Sequence, residues 1–331
     1  MRTYLKAIAF ISKSYNNFIV STGFAVLTPQ KQYDSRYFYY ALRVDWFISL
    51  IESNSVGISY PAINSEKLIS LPNIVPPLPT QHHIASFLDK KCSLIDSTIE
   101  KERELIDKLK EYRQAVITEA VTKGIRPGVP MKDSGVEWIG EIPDDWELRR
   151  LKLTVDLINE KMDYNGQTYI GLENIASECG KYLETENQTI DGVSNSFSTG
   201  DLLFGKLRPY LAKCIIAPCD GICSSELLVI RNFKGNPHFL FWTLLSHWFI
   251  NVVDASTYGA KMPRASWNFI RDLKICYPSR PDQNRIASFL DTKCSAIDAT
   301  IQKRELAIEK LTAYKQSLIY ECVTGKKEVL G

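Results

Sequence analysis

QHHIASFLDKKCSLIDSTIEK, running from Gln81 to Lys101, recurs as QNRIASFLDTKCSAIDATIQK from Gln283 to Lys303, an offset of 202 residues. Without a gap, identity continues through Lys108 and Lys310, Leu109 and Leu311, Tyr112 and Tyr314, Gln114 and Gln316, and Glu119 and Glu321, ending at Val121-Thr122 against Val323-Thr324. It also runs backwards, setting Trp46-Phe47-Ile48 on Trp248-Phe249-Ile250, Gly57 on Gly259, Pro61 on Pro263, Pro76 on Pro278 and Pro79 on Pro281. A fixed period over such a distance marks a duplicated structural unit. Here that unit is a domain followed by a helix. Near the start a small gap brings Arg2, Tyr4 and Leu5 onto Arg208, Tyr210 and Leu211, and nothing in the first copy corresponds to Gly135 through about Leu203. Two full units would exceed the 331 residues present by 73, so the first domain is expected to be partial.

The repeated helices are punctuated. Pro76, Pro77 and Pro79, and Pro278 and Pro281, end the preceding strand, Thr80 or Asp282 stands as N-cap, and Gly124 and Gly325 are the stops. Alternating spacings of four and three select Leu88, Cys92, Ile95, Ile99, Glu102, Ile106, Leu109, Arg113, Val116 and Ala120. The second copy yields Leu290, Cys294, Ile297, Ile301, Arg304, Ile308, Leu311, Lys315, Leu318 and Cys322. Each helix would be roughly 60 Å long at about 1.5 Å per residue. A rod of that length cannot bury a single apolar seam against one small domain, so the two helices are expected to pair. The linker from Gly124 to Gly135 reaches at most about 40 Å, which favours antiparallel packing. Polar seam residues agree, because a parallel pair would set Arg113 against Lys315, whereas an antiparallel one separates them and leaves Glu102 near Arg304.

The expected fold class is therefore α+β, a tandem repeat of an α/β domain followed by a long helix, with the long helices in an antiparallel coiled coil. The boundaries read as a partial first domain over 1–80, a helix over 81–124, a linker over 125–135, a complete domain over 136–282, a second helix over 283–325 and a tail over 326–331. In the complete domain a turn-rich start, GEIPDDWELRRLK from Gly140, precedes short strands at Thr168 to Gly171, Asp201 to Phe204, Cys214 to Ala217 and Leu227 to Arg231. An amphipathic helix opens at Asn236-Pro237, an N-cap followed by proline at the first helical position. It carries Trp242, Leu245, Trp248, Phe249 and Val252 as core. The first copy keeps this helix from Asp34 and a strand over Phe18 to Leu27.

Composition bounds the chemistry. A chain 45% apolar and 24% charged, with net charge +2, is an ordinary globular mixture and excludes disorder, collagen and a small disulfide scaffold. Apolar runs such as Leu202 to Phe204 fall far short of the roughly 18 to 20 residues of a membrane helix, and no leader opens at Met1. A cytoplasmic protein with no membrane partner is expected. The eight cysteines show no paired spacing and read as buried reduced thiols. Cys214, Cys219 and Cys223 cluster without a CxxC or a pair of histidines, so no metal is expected. Nucleotide-binding glycine loops, HExxH, GxSxG and the Asn/Asp-Pro-Pro-Tyr/Phe methyltransferase motif are all missing. His82 and His83 become Asn284 and Arg285 in the second copy, which argues against catalysis. No catalytic residue is assigned. Two loops of the complete domain gather basic and aromatic residues: Lys206, Arg208, Tyr210 and Lys213, then Lys261, Arg264, Trp267 and Asn268. Arginine reads guanine, asparagine reads adenine and lysine neutralises phosphate. Val136 to Asp282 holds 15 Lys and Arg against 19 Asp and Glu, so any DNA contact must come from a local face.

Four segments carry a family resemblance: GVEWIGEIPDDWELRRLK from Gly135, GDLLFGKLRPYLAKCIIAP from Gly200, YGAKMPRASWNFIRDLKICYPSRPDQNRIASFLDTKCSAID from Tyr258 and LPNIVPPLPTQHHIASFLDKKCSLID from Leu71. Together they resemble the specificity subunit of type I restriction-modification systems, here N-terminally truncated. The resemblance covers nearly the whole chain. It implies a non-catalytic subunit whose two target-recognition domains read a bipartite double-stranded DNA site, with the helices as spacer. It further implies two methyltransferase subunits docked on the helices, with S-adenosylmethionine bound in those subunits and no cofactor in this chain, and restriction/translocase subunits joining for cleavage. A second reading is a truncated or silent-allele scaffold in which only the second domain recognises DNA.

Overall fold

The computed structural model describes residues 7–11, 19–57, 61–185, 194–259 and 261–329. The chain forms two compact units, Met1–Ile106 with Gln302–Gly331, and Asp107–Ile301. The first holds α1 (Ser35–Ala41), α2 (Asp45–Ser53), α3 (Ser65–Ile69) and the opening part of α4 (Leu78–Lys123). Within the second, β1 (Met131–Asp133) pairs antiparallel with β2 (Glu141–Pro143). Then come β3 (Glu147–Arg150), β4 (Asp156–Ile158), β5 (Lys161–Met162), β6 (Tyr169–Ile170), β7 (Ser194–Phe197), β8 (Leu202–Gly205), β9 (Cys214–Ile216), β10 (Gly221–Cys223) and β11 (Leu227–Arg231). They are followed by α5 (Pro237–Leu245), α6 (His247–Ala255), α7 (Trp267–Ile270), β12 (Lys274–Tyr277) and α8 (Arg280–Val323). The first part of α8 belongs to the second unit and its last part to the first. Two four-stranded sheets, ordered β5-β7-β10-β6 and β4-β11-β8-β9, build the second unit, and β12 pairs antiparallel with β3.

Both long helices begin three residues earlier than the caps Thr80 and Asp282 suggest. Pro79 and Pro281 sit in the first turn, where a missing N–H costs nothing. Each ends one or two residues before its stop glycine, and Gly124 and Gly325 take left-handed backbone, φ +78° and +73°. In the first unit Asp96 meets Lys315 at 2.6 Å and Glu102 meets Arg304 at 2.7 Å, so the helices run antiparallel there. Within the second unit the partner of Arg113 is Asp298, at 3.1 Å. Leu88, Ile95, Ile99, Ile106, Leu290, Ile297 and Ile301 are buried, whereas Leu109, Ile308 and Leu311 are half-buried. Ile319 and Val323, and Ile117 and Val121, widen the buried face toward the helix C-termini, where each meets its unit's core.

The helix expected from Asn236 is two helices, broken at Ser246, whose ψ of 144° is extended. Its counterpart from Asp34 is likewise split into α1 and α2. The strand expected over Phe18 to Leu27 does not form: residues 19–27 make a turn and irregular backbone, and Phe18 lies outside the described residues, as do Arg2, Tyr4 and Leu5. The duplication extends to individual hydrogen bonds. The Gln81 side chain accepts from the Asp34 N–H at 2.9 Å and donates to the Pro76 carbonyl at 2.8 Å, and Gln283 does the same with Asn236 and Pro278, at 2.7 and 2.9 Å. Tyr40 donates to Asp89 as Trp242 donates to Asp291, both at 2.8 Å. A primary amide can give and accept at once, so one buried glutamine ties α4 to the start of α1 and another ties α8 to the start of α5.

All eight cysteines are free thiols, and only Cys179 and Cys219 are partly exposed. Burial pushes Cys223 and Cys276 to about 12 and Cys294 and Cys322 to about 11, and raises Cys92 and Cys214 as well. Because the thiolate is the nucleophile, iodoacetamide at pH 8 should modify Cys179 and Cys219 rapidly and the other six only on unfolding. Peptide mass spectrometry of the native chain checks this, and rapid labelling of Cys294 would contradict the packing. Among the described residues no helix is long and apolar enough to cross a membrane.

Candidate nucleic-acid interface

Strand β8 delivers the chain into the loop 206–213, and β9 takes it away. The loop is held from both sides: Gly205 N–H donates to the Lys213 carbonyl at 2.8 Å, and Lys206 N–H donates to the Glu226 carbonyl at 2.9 Å. Arg208 (φ 51°, ψ 63°) and Ala212 (φ 47°, ψ 50°) both take left-handed backbone around a single 3₁₀ turn with Pro209 buried in it. Each non-glycine residue in that region costs roughly 1–3 kcal/mol and persists only where its surroundings enforce it. The enforcing neighbour is the second basic loop. Arg208 N–H donates to the Pro263 carbonyl at 2.8 Å, Ala265 N–H to the Lys206 carbonyl at 2.9 Å, and Leu207 and Tyr258 each form a β-bridge with Arg264. The two basic segments, 56 residues apart between Arg208 and Arg264 in sequence, are thus one hydrogen-bonded surface.

The eight candidate residues divide by what their side chains are doing. Arg208, Lys261 and Asn268 are exposed, Tyr210 is 50% exposed, and Lys206 is half-buried. Lys213 turns inward instead: its ammonium donates to the Leu172 carbonyl at 2.6 Å, and burial lowers its pKa against the opposing pull of Glu173. Arg264 is clamped on Glu226, with Nε and one Nη within 3.0–3.2 Å of the carboxylate, and that hydrogen bonding raises its pKa. Trp267 packs on the core and opens α7, with the Ser266 side chain capping the helix. Arg264 and Trp267 therefore shape the surface, while Arg208, Tyr210, Lys261 and Asn268 are presented by it.

Reasoning from residue type passed over Tyr258, 65% exposed, and Met262, 48% exposed, which lie on the same two-loop surface. Both stand in the YGAKMPR stretch, so a signal was there. Glu226 was also passed over, and no local pattern marks it, since it reaches Arg264 only through the turn into β11. Cations beside exposed rings on a rigid backbone suit phosphate contact and base contact. Among the described residues no group of three or more His, Cys, Asp or Glu side chains could hold a metal. His82 meets Asp34 at 2.7 Å, but Asn284 and Asn236 make the same contact at 2.8 Å in the second unit. An uncharged amide pair doing the same work points to a tether, with no need for a proton carrier.

Comparison with known proteins follows the same lines. The family model for the type I restriction modification DNA specificity domain matches residues 7–111. The specificity subunit of the type I restriction enzyme EcoDI from Escherichia coli is 25% identical over 313 residues, 88% of this chain and 70% of that protein. The MjaVIII specificity subunit of Methanocaldococcus jannaschii is 26% identical over 329 residues, 93% of this chain and 74% of its own length. A solved chain from a study of complex assembly and conformational transition of the type I R-M system superposes with a TM-score of 0.74 at 16% identity, over 97% of this chain and 79% of that one. The HsdS subunit from Thermoanaerobacter tengcongensis gives 0.50 at 16% identity, over 88% and 70%.

Proposed function

We propose, from the chain's similarity to type I restriction-modification specificity subunits, that it is the non-catalytic, DNA-reading member of such a complex, the second unit addressing one half of a bipartite site through its paired loops. What carries this assignment to particular residues is the surface formed where loop 206–213 is hydrogen-bonded to residues 263–265, themselves bonded to Tyr258 through Arg264. It presents Arg208 on left-handed backbone and exposes Tyr210, Tyr258, Lys261 and Asn268 beside it. A surface of that kind pre-pays the ordering cost of binding. Two methyltransferase subunits, each bringing S-adenosylmethionine, would dock on the long helices, whose contacts recur at a 202-residue offset and so offer one partner two equivalent faces. Restriction/translocase subunits would join that assembly, which works in the cytoplasm on double-stranded DNA.

Footprinting of the chain assembled with its modification subunits, in the presence of nonspecific competitor, tests the reading. Arg208→Gln should weaken specific binding by about 1–3 kcal/mol if the guanidinium reads a base. A loss equal on all sequences would assign it to phosphate, and an unchanged footprint would remove the two-loop surface from the interface.

A further inference from the structure

Glu226 stands at the turn into β11, and the backbone of Lys206 fixes both it and the loop that carries Arg264. Lys206 N–H donates to the Glu226 carbonyl at 2.9 Å, and the Lys206 carbonyl accepts from Ala265 N–H at 2.9 Å. From these anchors the two side chains meet. Arg264 gives the carboxylate one edge of its guanidinium: Nε lies 3.1 and 3.2 Å from the two oxygens, and Nη2 lies 3.0 Å from Oε1. A guanidinium carries five N–H groups in a rigid planar fork. Glu226 takes the Nε–H and one hydrogen of Nη2, which leaves the outer Nη2 hydrogen and both hydrogens of Nη1. Among the described residues no acceptor meets Nη1. The Arg264 side chain is 37% exposed and that of Glu226 23%, so the carboxylate is the more covered partner.

The repeat shows that the backbone has no need of this pair. At the 202-residue offset Tyr258 and Arg264 correspond to Val56 and Ala62, while Gly259 and Pro263 correspond to Gly57 and Pro61. Val56 and Ala62 form the same antiparallel bridge, with N–H to carbonyl distances of 2.8 and 3.0 Å against 3.1 and 3.3 Å for Tyr258 and Arg264. Gly57 and Gly259 both take positive φ, 116° and 93°. The bridge therefore closes on alanine as well as on arginine, and a partly exposed ion pair adds little to stability. What distinguishes position 264 is the side chain it presents.

We propose that Glu226 is a positioning residue for DNA reading, holding the Nη1–Nη2 edge of Arg264 for the O6 and N7 acceptors of one guanine. This rests on the reading of the second unit as the DNA-binding one. Two parallel N–H donors match two adjacent acceptors, and in the major groove guanine alone among the bases shows that pair. A carboxylate that fixes the plane of the guanidinium beforehand cuts the ordering cost of the contact. The same carboxylate repels phosphate, so it weakens binding to every sequence, and its gain is confined to the base that Arg264 reads.

The test is selection from a random-sequence duplex pool by the full chain assembled with its modification subunits, with the bound DNA sequenced. The parent chain is compared with Arg264→Ala, Arg264→Lys and Glu226→Gln. The parent should select a half-site containing one guanine at which Arg264→Ala lowers discrimination about tenfold, or about 1.4 kcal/mol, with other positions unchanged. Arg264→Lys, which keeps the charge but has no fork, should relax the same guanine. Glu226→Gln should relax it about threefold or more while binding nonspecific duplex at least as tightly as the parent, since a negative charge is gone. A carboxylate with a purely structural role would not single out one base pair. Equal relaxation at every position, or a guanine preference that survives Glu226→Gln or Arg264→Lys intact, would overturn the assignment and leave DNA reading by the second unit standing. A parent complex that selects no sequence would remove that reading and this inference with it.

Discussion

Asp298→Ala is expected to lower the stability of the second unit by about 3–5 kcal/mol, the cost of leaving a buried charge without its counterion. Arg113 is 4% exposed and inserts between the long helices, with Asp298 as its carboxylate and the Glu178 carbonyl as its only hydrogen-bond acceptor among the described residues. Its guanidinium also faces the Trp242 ring at 5.7 Å, and neither contact can replace a full negative charge. Lys181 loses the same partner. The informative control is the repeat itself. Asp96→Ala removes the equivalent carboxylate from Lys315, but Asp96 is 56% exposed and the ammonium of Lys315 borders an open cleft that water can enter once the carboxylate is gone, so the loss should stay below about 1 kcal/mol. Peptide-resolved hydrogen exchange under mild denaturant separates the two units and reads both effects in one chain. Equal losses at the two positions would mean that burial does not distinguish them.

Gly180→Ala should cost about 2–5 kcal/mol, again in the second unit. Two penalties combine: roughly 1–2 kcal/mol for an L-residue in left-handed backbone, and about 1–3 kcal/mol for forcing a methyl group into a packed wall. A Cβ on Gly180 would lie 2.5 Å from the Phe241 ring and 2.7 Å from the Cys214 carbonyl. The ring can tilt, but the carbonyl belongs to β9 and is fixed by the sheet. Gly128→Ala separates the penalties, since Gly128 has φ +70° with nothing within 4 Å of the same methyl group. It should show the backbone cost alone, about 1 kcal/mol. Thermal unfolding of the three chains side by side would check the ordering. A Gly180→Ala chain no weaker than Gly128→Ala would show that the turn is not pressed against α5.

Much of this architecture is legible in the sequence because its strongest signals are local or exactly repeated. Asn236-Pro237 announces a helix start, and Asn236 does cap α5 through the His238 N–H. The like charges Arg113 and Lys315, which a parallel pair would set against each other, announce the helix direction, and in the fold they take separate carboxylates, Asp298 and Asp96. What escapes is whatever carries no period. Strands of two to four residues such as β5, β7 and β10 are too short to show alternation. The break at Ser246 has neither glycine nor proline to mark it, and the chain turns there because the apolar residues of α5 and α6 need different walls of one core. On the candidate DNA surface, residue type singled out Arg208, Tyr210 and Lys261, which the fold leaves exposed. It could not tell that Arg264 is committed to Glu226 or that Trp267 faces the core, because those partners are distant in sequence.

The duplication, the two long helices and their opposed direction follow from the sequence by itself, since a 202-residue period and an apolar seam are properties of residue order. Only the tertiary structure decided that identical aspartates, Asp96 and Asp298, lead different lives. Exposure depends on what covers a side chain, and the cover over Asp298 is a turn more than a hundred residues away in the chain. For the same reason two basic loops became one surface only when β8, β9 and α7 placed their backbones within hydrogen-bonding distance.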